Sequence, residues 1–372
     1  SDPAKCPSKE NLQDPVAELE HLPNPNSRSI TGGVVYHGKA IPAFAGTYVF
    51  GDYERQQLWG LSFDPVSGAS RLTQLNESGP TASWVSFAED QDGEVYAVAL
   101  NQGDVYKMVP GAGGGSSTFP AQLSATGCVD PADARKPAAG LVPYGVNAQL
   151  WSDGAEKERF MALPDGATIT VGADGDFDFP NGTVLIKNFL LGGRRIETRL
   201  LVRHDDGAWA GYTYEWNDAQ TDATLLPAGK TKDVGSQSWT YPSRAECVRC
   251  HTEAAGRSLG LELGQQNGDF VYASTNRLSN QLATLQHIGM FAAPLGRPVA
   301  ELVAYPDPKD AAGPIEPRAR AYLHANCSPC HQPRGGGAST LDLRFSRSLA
   351  ETAACNTDPQ RGDLGVAGAK QL

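Results

Sequence analysis

Two motifs of the form Cys-x-x-Cys-His constrain this chain more than any other feature, and they lie at Cys247–His251 and Cys327–His331. The thiols of such a motif can bond to a haem while the histidine binds its iron, so all three side chains must share one tight turn. With seven cysteines and seven histidines in 372 residues, about 0.0025 chance matches are expected. The motifs therefore predict two covalently attached haem c groups. The predicted cofactor-binding residues are Cys247, Cys250, His251, Cys327, Cys330 and His331.

Two other interpretations of these motifs stay open. Cysteine and histidine side chains also supply three of the four ligands of a structural zinc site. A Cys-x-x-Cys pair can instead be a dithiol, although no βαβ pattern of the thioredoxin kind surrounds either motif.

The iron atoms, for which we take His251 and His331 as ligands, would each need or leave open a sixth position. Met290 is the first candidate for the first haem, with His287 as the alternative. No methionine follows His331, although cytochrome c domains usually supply one from a downstream Met-Pro loop. We therefore expect the chain to stop before that loop, with His324, His204 or an open site as alternatives.

Residues 1–110 contain short runs of aromatic and β-branched residues between Gly and Asp turns, which predicts antiparallel strands. The clearest runs lie at 34–36, 46–53, 58–61, 84–87, 95–98 and 103–109. The strand, turn, strand order is typical of β-propeller blades. Residues 111–118 are rich in Gly and Ser and predict a flexible linker.

The segments Ser29–Tyr36 and Tyr48–Tyr53, with Asp92–Tyr96, resemble the last blades of the glucose/sorbosone dehydrogenase family. That resemblance implies a remnant of a propeller that uses pyrroloquinoline quinone. The catalytic part of such a propeller would lie upstream of residue 1, so we expect the quinone only there and assign it no residues.

Residues 119–243 predict a β-rich domain of the sandwich type, with a hairpin at Asp205–Gly207. Residues 244–372 predict helices at 280–290 and 316–326, the second opened by Pro317. The expected fold is therefore multidomain α+β: partial propeller blades, a sandwich-like middle domain and an α-helical, C-terminally truncated cytochrome c-type region.

The stretch from Gly127 to Leu372 resembles an uncharacterised bacterial family of diheme c-type cytochromes. The likeness is carried by Cys128–Pro131, Pro143–Ala148, Leu150–Ala155, Phe179–Leu185, Ile196–Leu200 and Trp209–Tyr214, together with both haem motifs. It implies electron transfer in the periplasm or at the cell envelope, from a sugar or alcohol dehydrogenase-type partner or an attached propeller to a downstream acceptor. The protein's partners would then be redox proteins, and the chain could form part of a quinone-dependent dehydrogenase.

Two alternative functions follow from the same motifs. A diheme peroxidase or oxygenase would keep one iron open, which fits the lack of methionine after His331. A zinc-stabilised binding module would have no redox role. No catalytic residue is assigned in either case.

Composition and single residues limit the partners, membrane segments, disulfides and calcium sites that the chain can have. A formal net charge of −11 argues against nucleic acid as a partner. No run approaches the roughly 20 apolar residues of a membrane-spanning helix, and no signal peptide is visible at the start. The odd remainder of Cys6, Cys128 and Cys355 allows one disulfide whose pairing stays open. Asp174, Asp176 and Asp178 alternate as in a calcium loop, but Phe179 and Leu185 stand where such a loop needs glycine and glutamate, so they predict a solvated turn.

Overall fold

The computed structural model describes residues 15–19, 28–63, 70–76, 82–109, 119–335, 337 and 340–355. The chain forms two compact units, Ser1–Gly114 and Gly115–Leu372. Their boundary falls within the predicted linker 111–118. The predicted 119–243 and 244–372 domains both belong to the second unit.

The first unit contains two antiparallel sheets. Four consecutive strands form the first: β1 Ile30–Val35, β2 Tyr48–Asp52, β3 Gln57–Phe63 and β4 Ser70–Gln74. Three form the second: β5 Trp84–Glu89, β6 Val95–Ala99 and β7 Asp104–Lys107. Two clusters of buried residues, one around the fully buried Tyr36 and one around the fully buried Trp84, each contain side chains from both sheets. The strands lie where the aromatic and β-branched runs placed them.

The second unit is organised around one six-stranded antiparallel sheet. Its strands are, in spatial order, β10 Val142–Pro143, β11 Glu156–Ala162, β14 Val184–Leu191, β15 Arg194–Arg203, β16 Trp209–Trp216 and β17 Ala223–Leu225. The other strands form two-stranded ribbons, β8 Val129–Asp130 with β9 Asp133–Pro137, β12 Thr170–Val171 with β13 Phe177–Asp178, β18 Lys230–Val234 with β19 Gln237–Tyr241, and β20 Asp269–Tyr272 with β21 Arg277–Asn280. The expected sandwich of two facing sheets is therefore wrong, because the long strands all join a single sheet.

Because side chains alternate along a strand, the register of the sheet gives it two distinct faces. Ile186, Leu200 and Tyr212 lie opposite one another on the first, which we call the apolar face. It packs against Leu123 and Val129 in a core of buried residues.

The other face of the same strands carries charge. Arg159 lies opposite Lys187, and Lys187 lies opposite Arg199. We call these three residues the cationic row and the side that bears them the cationic face. Apolar clusters lie on both sides of the row, one containing Leu185 and the other Phe189.

After residue 243, the described part of the chain contains four α-helices of at most 12 residues, besides strands β20 and β21. They are α1 Arg244–Cys250, α2 Leu263–Gln266, α3 Gln281–His287 and α4 Ile315–Asn326, of 7, 4, 7 and 12 residues. Helix α3 stops because Gly289 adopts a φ of +74°. The predicted α-helical cytochrome c-type region, and with it the α+β class, is wrong: the protein is mostly β, and loops separate these helices.

Candidate functional site

A cavity of about 170 Å³ lies in the second unit, between the cationic face of the sheet, the loop 254–262 and helix α4. Arg159 and Lys187 line it from the sheet. Asp176, Glu262 and His324 line it from the other elements. An engineered cavity of about 150 Å³ holds benzene, so this one accepts a ligand of about six to ten non-hydrogen atoms.

The cationic row is unevenly neutralised. Arg199 donates to both carboxylate oxygens of Glu197, at 2.5 and 2.9 Å, and its guanidinium lies 4.3 Å from the centre of the Phe189 ring. By contrast, the side chains of Arg159 and Lys187 form no hydrogen bond or ion pair with another described residue. Within the described residues, the positive charges of Arg159 and Lys187 are therefore not neutralised by an ion pair.

Burial makes that charge costly. Arg159 is only 7% exposed, and burial lowers the pKa of its guanidinium from the ordinary value. Burial, together with the neighbouring positive charges of Arg159 and Arg199, lowers the pKa of Lys187 to about 7. Isolated buried cations are unfavourable unless an anion joins them.

A second wall of the cavity is acidic and well ordered by hydrogen bonds. Tyr305 donates to one carboxylate oxygen of Glu262 at 2.8 Å, and His324 Nε2 lies 2.7 Å from the other. The Phe345 amide donates to His324 Nδ1 at 3.1 Å, which leaves the proton on Nε2. The tyrosine and the histidine therefore fix the carboxylate of Glu262 in place.

The backbone of Asp176 forms an isolated antiparallel bridge with Glu262, but the carboxyl groups of the two residues differ in their hydrogen bonding. The carboxylate of Asp176 accepts no hydrogen bond from another described residue. Burial, together with the neighbouring carboxyl groups of Glu262 and Asp174, raises the pKa of Asp176 to about 6. The expected solvated turn is thus wrong for Asp176, which lines the cavity.

Gly256 makes room for the Asp176 carboxylate. A Cβ atom at residue 256 would lie 2.4 Å from Asp176 Oδ2, and the glycine has a φ of +66°. Two residues further on, Ser258 is 5% exposed and lines the cavity, and its hydroxyl forms no hydrogen bond with another described residue. The loop therefore brings an unused hydroxyl to the same cavity.

The first Cys-x-x-Cys-His motif lies across the cationic face. Cys247 is buried in α1 against Gly211, where an added Cβ would meet its Sγ at 2.6 Å. Cys250 lines the cavity instead. His251 Nδ1 donates to the Arg257 carbonyl oxygen at 2.5 Å, and burial lowers the pKa of His251 to about 3. The two thiols of this motif therefore face different surroundings.

The second motif follows the end of α4. Cys327 caps the helix, and Cys330 lines the cavity. The His331 amide donates to the Cys327 carbonyl oxygen at 2.8 Å. The structure thus brings Cys250 and Cys330, one residue from each motif, to one cavity.

The candidate sixth ligands lie elsewhere. Met290 packs with the apolar cluster around Ile169, and His287 is exposed at the end of α3. His324 is bonded to Glu262, and His204 lies 3.0 Å from the Tyr212 hydroxyl. Neither Met290 nor His287 lines the cavity that Cys250 reaches.

The cofactor prediction of two covalent haem c groups is wrong. Among the described residues, no group of three or more His, Cys, Asp or Glu side chains could hold a metal ion. The cavity of about 170 Å³ is also smaller than the roughly 300–1,000 Å³ of pockets for larger ligands. For the same reason, the described residues contain no site for a structural zinc ion. The quinone expected in an upstream propeller gains no support.

The thiols are also poorly suited to dithiol chemistry. Burial raises the pKa of Cys247 to about 11 and raises those of Cys327 and Cys330. Reactive cysteines need the opposite shift. No disulfide joins the described cysteines; Cys128 is buried, Cys355 is exposed, and Cys6 lies outside the described residues.

Sequence reasoning missed Arg159, Lys187, Glu262 and Ser258 as cavity residues. Lys187 had a readable signal, because it interrupts the apolar run Val184–Leu190. Glu262 had none, since its partner His324 is 62 positions away.

No family model matches the chain, so neither family resemblance gains support. Among solved structures, the chain is weakly similar to a catalytically inactive virginiamycin B lyase from Staphylococcus aureus with quinupristin, at 11% identity and a TM-score of 0.14, covering 60% of this chain and 87% of that one. A selenomethionine-substituted virginiamycin B lyase from the same organism gives 11% identity and a TM-score of 0.12, covering 68% of this chain and 83% of that one. Similarity at this level supports no argument about fold or function.

Proposed function

We propose that the second unit binds a small anionic ligand in the cavity beside the cationic row. The observation that carries the proposal is the pair Arg159 and Lys187, which line the cavity without an acidic partner among the described residues. An anion placed between them would gain charge-assisted hydrogen bonds and remove the cost of two buried charges.

Arg199 supports this assignment as an internal comparison. It belongs to the same row and is neutralised by Glu197 at 2.5 Å. Glu197 therefore neutralises Arg199, whereas no described residue forms an ion pair with Arg159 or Lys187, the two residues that reach the cavity. A bound anionic ligand would neutralise Arg159 and Lys187 as Glu197 neutralises Arg199.

The electron-transfer role, its redox partners and the periplasmic or cell-envelope location stay predictions from the sequence. No described helix has the length and apolar character needed to cross a membrane. The ligand-binding proposal depends on none of these predictions.

Titration calorimetry with acetate and inorganic phosphate, at constant ionic strength in chloride buffer, tests the proposal. We expect binding of at least one anion, weakened about tenfold or more in Lys187→Met and Arg159→Gln, because a charge-assisted hydrogen bond contributes about 1.5–3 kcal/mol. The exposed Lys136, which does not line the cavity, provides the matched control Lys136→Met. Absence of binding, or equal affinities in Lys187→Met and wild type, would overturn the proposal.

A further inference from the structure

We propose that the ligand is a small hydroxycarboxylate, with its carboxylate at Arg159 and Lys187 and its hydroxyl at Asp176 and Ser258. This assignment rests on the anion-binding function proposed above and names the ligand class. It follows from the two walls of the cavity, which differ in charge, and from the polar groups left without partners.

The first step concerns the charge of the ligand. Arg159 and Lys187 line the cavity without an ion pair to any described residue, whereas Arg344, which also lines it, is paired with Asp342. Three carboxyl groups line the other wall, those of Asp174, Asp176 and Glu262. A ligand with one anionic end satisfies the first wall. A second negative charge would meet the carboxyl groups of the other wall and be repelled.

The second step concerns hydrogen bonding at the acidic wall. Glu262 already accepts bonds from Tyr305 and His324. Asp176 accepts none from the described residues, and the Ser258 hydroxyl, in a residue 5% exposed, is likewise unused. A carboxyl group and a hydroxyl that face a cavity are matched by a ligand hydroxyl, which both donates and accepts.

The third step concerns size. A cavity of about 170 Å³ accepts a ligand only a little larger than benzene. A carboxylate and a hydroxyl on a chain of two to four carbons fit this limit. Larger sugar acids would need the walls to move apart.

Two matched pairs of probes, which differ by one hydroxyl, test the assignment: glycolate with acetate, and lactate with propionate. We expect calorimetry to give about tenfold or higher affinity for each hydroxy acid, since hydrogen bonds to charged groups contribute about 1.5–3 kcal/mol. In Asp176→Ala and Ser258→Ala the ratio of affinities should fall towards one. Asp165→Ala, at an exposed turn residue away from the cavity, should keep the wild-type ratio.

The outcomes separate the two proposals. Equal affinities within both pairs would overturn the hydroxycarboxylate assignment and leave anion binding intact. Binding of phosphate alone would do the same and identify a different anion. Failure of all five probes to bind would overturn both. Circular dichroism of each variant establishes that a changed ratio comes from a folded protein.

Discussion

The apolar face and the cationic face of the six-stranded sheet are made by the same strands and differ in what they can tolerate. On the apolar face, Leu200 is fully buried and packs against aromatic and aliphatic neighbours. On the cationic face, one residue away, Arg199 is held by Glu197 and points to the same side as Lys187. One strand therefore supplies a hydrophobic core to one side and a charged site to the other.

The apolar face stabilises a domain in which Arg159 and Lys187 form no ion pair with a described residue. A domain is stable by only about 5–15 kcal/mol, so isolated buried charges must be offset elsewhere. The apolar face provides that offset through a continuous core of buried residues, including Ile186, Tyr212 and Tyr214. The cationic face can then be specialised for binding.

The largest effect is expected from damage to the apolar face. Leu200→Ala removes a fully buried side chain and should lower the free energy of unfolding by about 2–5 kcal/mol, because a cavity is left in the core. Urea denaturation of the protein measures this loss. Leu278→Ala, at a residue 66% exposed, is the control and should change stability by less than about 0.5 kcal/mol. A loss below about 1 kcal/mol in Leu200→Ala would show that this face does not hold the main core.

The next effect concerns the one neutralised member of the cationic row. Glu197 is fully buried, bonds to Arg199, and accepts a hydrogen bond from Trp239 at 2.9 Å. Glu197→Gln should cost about 3 kcal/mol of unfolding free energy, because it leaves the Arg199 charge without its partner. The exposed Glu156→Gln on β11 serves as the control. If both variants are equally stable in urea, the ion pair contributes nothing to the fold.

The sequence predicts the strands of the sheet but not which residues lie on its cationic face. Strand positions in 184–216 could be predicted from their aromatic and β-branched residues, and so could the helix at 316–326, which the structure places at Ile315–Asn326. The face that Lys187 occupies was not readable, because Val184–Ile186 are apolar in succession and alternation gives no direction there. Only the register with Arg159 and Arg199 shows the row.

The acidic wall of the cavity could not be predicted from the sequence for a different reason. Asp176 lies in a short ribbon, Glu262 precedes α2, and His324 lies in α4, so the chain brings them together through separate elements. The two Cys-x-x-Cys-His motifs were visible in the sequence, but the prediction of haem drawn from them was wrong. Their local pattern is specific, but the pattern does not say that Cys247 packs against Gly211 while Cys250 faces the cavity.

A smaller effect, of opposite sign, is expected from removing a charge on the cationic face. Lys187→Met keeps the length of the side chain and removes the unpaired charge, so it should raise the free energy of unfolding by about 1–2 kcal/mol at neutral pH. Ligand binding should be lost in the same variant. A gain in stability together with lost binding identifies a residue retained for function, whereas Lys136→Met should change neither. Destabilisation by Lys187→Met would mean that the ammonium group has a structural partner.

The smallest effect concerns pH and the carboxyl group of Asp176. Its folded pKa of about 6 lies above the ordinary value of 3.8, so the folded state binds the proton more tightly than the unfolded state does. The resulting stabilisation is complete below about pH 4 and is lost as the pH rises through about 6. After burial, the facing carboxyl groups of Glu262 and Asp174 raise this pKa, and the facing His324 and Arg344 lower it by a smaller amount. In the wild type relative to Asp176→Asn, the free energy of unfolding should therefore fall by about 1 kcal/mol between pH 4 and pH 7, after allowance for the partial exposure of Asp176.

Denaturation of both proteins at a series of pH values measures the difference, with the exposed Asp165→Asn as control. Parallel pH profiles for wild type and Asp176→Asn would place the carboxyl group in solvent and would remove it from the binding wall, because a solvated carboxylate has no reason to favour its protonated form.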